Sequence, residues 1–141
     1  MQLKTVNPLD YVKANPGLFF NYDDRRMQEL VTKVVTDALS VSACPIVVDS
    51  VGAWHVVASS KNWLGKTSEN DILKMFNTLI PNPAAGRNAS RSEVLLNVFA
   101  TNVIVFVGGA TILVKGRVDS EVFSETRSKY NGFNFVLFSE R

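Results

Sequence analysis

Cysteine and histidine are nearly absent from this chain, with one of each, Cys44 and His55, in 141 residues. A single cysteine excludes an internal disulfide, and the pair offers no thiol–imidazole set for a zinc ion. Cys44 stands beside Pro45 in an apolar stretch and reads as a small buried hydrophobe rather than a reactive thiol. His55 sits next to Trp54 with no partner evident in the sequence, so a structural place in a strand is expected. An excess of one charge is missing too. A net charge of +2 is too small to draw the chain to an anionic membrane, and it argues against nucleic acid, which needs clustered Lys and Arg. The longest apolar run, Val103 to Val107 with its continuation to Val114, is interrupted by Gly108-Gly109 and is too short to span a bilayer. Met1 to Leu18 carries polar and charged residues throughout, unlike a secretory leader, and a cytoplasmic protein is expected.

What is present is a globular composition, 46% hydrophobic and 20% charged. A chain of this length reads as one domain, 1–141, able to bury about two-thirds of its unfolded surface. Asn7-Pro8 and Asn15-Pro16-Gly17 punctuate the N-terminal segment. Met27, Leu30, Val31, Val34, Val35, Ala38 and Leu39 then recur at helical spacing as one apolar face. Ile46 to Asp49 and Ala53 to Ala58 are β-branched runs on either side of Ser50-Val-Gly52, and read as paired strands. Ser68, with Asp71 three residues on, opens a helix through Ile72, Phe76 and Ile80 that Pro81 and Pro83 stop. Ser90 and Glu93 repeat the pattern ahead of Val94 to Phe99. Val103–Val107 and Ala110–Lys115 around Gly108-Gly109 form a hairpin, and Phe133–Phe138 is a last strand. The class is α+β: a two-layer sandwich with a mixed, largely antiparallel sheet covered on one face by helices.

Two stretches go further, Tyr11-Val-Lys-Ala-Asn-Pro-Gly-Leu-Phe-Phe20 and Leu30-Val-Thr-Lys-Val-Val-Thr-Asp-Ala-Leu-Ser40. Together they resemble the opening of the gyrase B-type ATP-binding domain of the GHKL superfamily, where a Pro-Gly-Met-Tyr-type turn leads into a helix reading Leu-x-x-Glu-x-x-Asp-Asn-Ala. Val94-Leu-Leu-Asn-Val-Phe-Ala100 is similar to that family's Val-Val-Asn-Ala-Leu-Ser run. Tyr130 to Phe138 is similar to its Thr-Gly-Thr-x-Val-x-Phe strand. The resemblance implies a GHKL (Bergerat-like) sandwich and an ancestral nucleotide pocket between helices and sheet.

The chemistry of that family is replaced at each place where it is expected. Lys33 stands for the general-base glutamate, and a cationic lysine cannot take a proton from water. Asp37 stands for the magnesium-binding asparagine. Ser59-Ser60-Lys61-Asn62-Trp63 occupies the place of the adenine-reading Asp-x-Gly-x-Gly motif. The glycine-rich phosphate loop is reduced to Gly86-Arg-Asn-Ala-Ser-Arg-Ser92, which keeps one glycine where a cradle of backbone N–H groups needs several. Asp37 keeps a carboxylate of the kind magnesium takes, but with no phosphate loop to complete the site no metal and no cofactor is expected. Only Pro81 to Ala89 separates the two middle helices, too short a connection to close over a nucleotide.

The expected function is therefore that of a catalytically inactive gyrase B-like module that works by binding a partner, protein or otherwise. The alternative is a non-hydrolysing binder of a small anionic metabolite or nucleotide in the remnant pocket. Lys33, Asp37, Ser59, Lys61, Trp63, Arg87 and Arg91 would line the site in either case, with Trp63 the most exposed of the aromatic residues.

Overall fold

The computed structural model describes residues 7–21, 23–83 and 90–141. The first helix, α1, covers Pro8–Ala14; proline fills its first turn, and the Asn7 side chain accepts from the N–H groups of Leu9 and Asp10. A short 3-10 turn follows at Pro16–Leu18. Helix α2, Arg26–Ser40, turns Met27, Leu30, Val34 and Ala38 inward, as their spacing requires. Strands β1 (Ile46–Val51) and β2 (Trp54–Ser59) form the first hairpin. Helix α3 is Glu69–Phe76, capped by Ser68 Oγ, which accepts from Asp71 N at 3.2 Å. Helix α4 is Glu93–Phe99. The second hairpin joins β3 (Asn102–Val107) to β4 (Ala110–Lys115), followed by α5 (Ser120–Lys129) and β5 (Asn134–Ser139).

The five strands lie in the order β1-β2-β5-β3-β4, so the last strand of the chain is the middle strand of the sheet. All four pairings are antiparallel, and the mixed sheet expected from the sequence is replaced by a purely antiparallel one among the described residues. Gly108 and Gly109 both have positive φ, +55° and +80°, which the two-residue turn between β3 and β4 demands. Gly116 is required for a second reason. At φ +73°, a Cβ there would overlap Asn102 Oδ1 and lie 2.5 Å from Thr101 O. Asn102 Oδ1 is itself committed to Arg117 N at 3.0 Å.

Side-chain alternation divides the sheet into two buried faces. Val57, Val103, Val105, Val107, Val136 and Phe138 pack with α1 to α4 in the larger core. Val56, Ile104, Phe106, Phe135 and Leu137 point the other way into a smaller core that takes in Val122 and Phe123 of α5. A helix on the second face corrects the expectation of helices on one face only. The clamp between α5 and β1 is polar: Lys129 Nζ meets Asp49 Oδ2 at 2.7 Å, and the Tyr130 hydroxyl donates to the same oxygen. These two donors hold the Asp49 carboxyl down at about pKa 2. Cys44, expected to be buried, is exposed in the turn ahead of β1. Among the described residues no helix is long and apolar enough to cross a membrane.

Candidate functional site

Asp37 follows from the apolar face of α2: a position three residues after Val34 and next to Ala38 must point into the core. It is 2% exposed. Its oxygens are occupied from within. Oδ1 accepts from Asn82 Nδ2 at 2.9 Å, and Oδ2 accepts both the backbone N–H and the hydroxyl of Ser92, at 2.7 and 2.6 Å. A buried carboxylate is tolerated only with such a set of donors. Magnesium would need those oxygens and room for its own waters, and the Ser92 and Asn82 donors hold both.

The next two features lie along the same segment. Arg91 Nε meets Glu93 Oε1 at 2.6 Å. Glu93 is as buried as Asp37, and its pKa is pushed up to about 7. Burial is the main cause and the negative charge of Asp37 adds to it; the Arg91 guanidinium opposes both but does not win. Among the described residues, Glu93 Oε2 and Arg91 Nη2 are buried with no hydrogen-bond partner. The capping arrangement expected of Ser90 and Glu93 is not formed. Helix α4 starts at Glu93 with Ser92 in the cap position, and the Ser92 hydroxyl is turned to Asp37. The connection between the middle helices spans residues 77–92, longer than the expected 81–89. Its ends are tied together by Arg91 N donating to Ile80 O at 2.7 Å and by a bridge between Pro81 and Ser90.

The remaining candidates scatter. Lys33 is half-buried one turn before Asp37 on α2. Ser59, fully buried at the end of β2, accepts from Lys61 N at 3.1 Å. Lys61 is exposed and its Nζ reaches Ser42 O at 3.4 Å. Trp63, expected to be the exposed aromatic, is 5% exposed and belongs to the larger core together with Phe76. Arg87 lies outside the described residues. The structure thus brings Asp37 and Arg91 into one network and leaves Ser59, Lys61 and Trp63 at the β2 end. Asn82, Ser92 and Glu93 complete the network; the sequence marked Glu93 only as a helix-capping residue and none of the three as a site residue. The one available signal was a charged pair, Arg91 and Glu93, pressed directly against an otherwise apolar helix.

Hollows of about 280 Å³ occur elsewhere on the surface. One lies between the β3–β4 turn and the end of α5, lined by Phe106, Arg127 and Asn131; another by Trp54, Arg117, Asp119 and Arg141. Neither includes a candidate residue. His55 lies against Phe138, ring centroids 5.5 Å apart, and burial lowers its pKa, so it is a neutral packing residue at pH 7. Among the described residues no group of three or more His, Cys, Asp or Glu could hold a metal ion. Compared with protein-family models, with curated proteins and with solved structures, the chain matches none.

Proposed function

We propose that this chain is a catalytically inactive GHKL-like module, gyrase B-like in its residues, that works by binding a partner. The observation that carries the reading is Asp37. At the position where the family it resembles holds magnesium, the side chain is sealed and its oxygens serve Ser92 and Asn82. The order of elements supports it in part: α2, a strand pair, two helices, a second strand pair and the final strand follow the order expected from the resemblance, with α5 inserted before the final strand. Lys33 in place of the general base removes the proton acceptor that hydrolysis needs.

The small-anion alternative is less well supported. Trp63 and Phe76 are packed into the core beneath the place where such a pocket would open. For a protein partner, large apolar side chains stand exposed at the end of α2 and on the α2 side of β1. Leu39, Val41 and Val48 are each more than half exposed, and β1 is an edge strand. The pure protein is expected to show no ATP turnover and no dimer on adding a non-hydrolysable ATP analogue with magnesium. Chemical crosslinking is expected to capture a defined protein, and Leu39→Ser with Val48→Ser to weaken the capture while the fold is kept. Measurable turnover, or an analogue-induced dimer seen by native mass measurement, would overturn the reading.

A further inference from the structure

Glu93 opens α4 from inside the protein. One of its oxygens takes Arg91 Nε, and the other is buried with no hydrogen-bond partner among the described residues. The next residue back, Ser92, is bound to a second buried carboxylate, Asp37. Two buried carboxylates are therefore set against one largely buried guanidinium. The elements around α4 carry other charges: Asp10 and Lys13 on α1, Arg26, Glu29 and Lys33 on α2, Glu69, Asp71 and Lys74 on α3, and Lys115 on β4. Among the described charged side chains, Arg91 and Asp37 are the two that act on Glu93, in opposite directions.

A neutral carboxyl suits this place and an anion does not. Ionised, Glu93 would leave a charged oxygen unpaired in the interior and face Asp37. We propose that Glu93 is a proton-operated latch: with its proton, the start of α4 stays docked on α2, and without it the Ser92–Asp37 brace loosens. The contacts that would loosen with it are those of its immediate neighbours: Arg91 N on Ile80 O, the Pro81–Ser90 bridge and Asn82 on Asp37.

The sign follows from the direction of the shift. A folded-state pKa of about 7 against an ordinary 4.5 means that the folded chain keeps a proton the unfolded chain gives up. The stabilisation is full below about pH 4.5, declines as pH rises, and is lost above about pH 7. This window crosses the physiological range, so a modest change in pH would alter these contacts.

Side-chain carboxyl NMR between about pH 4 and 9 tests it on the whole chain. One glutamate is expected to titrate near neutrality, and its signal to vanish in Glu93→Gln, which mimics the protonated form. Asp37→Asn, by removing the repelling charge, should move the midpoint down; Arg91→Gln, by removing the attracting one, should move it up. The melting temperature of the wild type should fall by several degrees as pH rises through this window, and that of Glu93→Gln should stay level. If all glutamates titrate below about pH 5 in the wild type, the latch does not exist. If the neutral titration persists in Glu93→Gln, it belongs to another residue and the assignment fails. Should Glu93→Gln not fold, through-bond correlation of the titrating carboxyl to the Glu93 backbone amide in the wild type makes the assignment, and a neutral titration traced to any other residue overturns it.

Discussion

Three donors converge on the two oxygens of Asp37, so replacing this residue removes more than a charge. Asp37→Ala would leave the Ser92 N–H, the Ser92 hydroxyl and the Asn82 amide facing an apolar gap. Breaking a buried charged network in this way costs about 3–5 kcal/mol. Asp37→Asn, which restores the residue the resembling family carries, keeps the shape but offers one oxygen to three donors, and should cost about 1–3 kcal/mol. Urea unfolding of the two variants should show this order; equal losses would mean that volume, not hydrogen bonding, dominates at the site. The position of Asp37 was legible, since its place on the apolar face of α2 follows from periodicity. Its partners were not. Asn82 and Ser92 lie 45 and 55 residues away in the chain, and no local pattern marks such a contact. Trp63 was misjudged for a related reason, because its polar neighbours Lys61 and Asn62 conceal a side chain that folds back into the core.

Helix α5 is the element that sequence reading missed. Its inward stripe is slight, Val122, Phe123 and Thr126, and the rest of its surface is polar. By contrast α2 and the glycine turn between β3 and β4 follow patterns that tertiary contacts reinforce rather than override. The weight of α5 rests on Phe123, whose ring lies 6.2 Å from Phe106 and 6.0 Å from Phe135, centroid to centroid. Full burial of a phenylalanine is worth about 3–5 kcal/mol when truncated, and Phe123 is only half-buried. Phe123→Ala should therefore cost about 2 kcal/mol. It should also destabilise more than Asp49→Ala, because the Asp49 clamp is partly wet and screened by salt. Thermal melts of the two variants at low and high ionic strength check this: only the loss in Asp49→Ala should depend on salt.

At the scale of the molecule, the two hairpins do not touch through any strand pairing of their own. Strand β5 joins them, pairing with β2 along one side and β3 along the other. Its core residues Phe135, Val136, Leu137 and Phe138 are buried on both faces, so the strand unites the larger and smaller cores as well. A fragment of residues 1–132 should lack a cooperative melting transition, and an added peptide of residues 133–141 should restore it. A cooperative transition in the fragment alone would show that the helices hold the hairpins together without β5.

This arrangement also sets the timetable of the protein's birth. At about 5–20 residues per second the joining strand β5 is made a few seconds after β3, when both hairpins already exist. Until then β2 and β3 each show the ribosome's surroundings an open edge, that of β3 being the apolar run Val103 to Val107. Such edges invite pairing with other nascent chains. The nascent sheet is thus more in need of a chaperone's cover than the folded one, and the need ends once β5 has been made and paired.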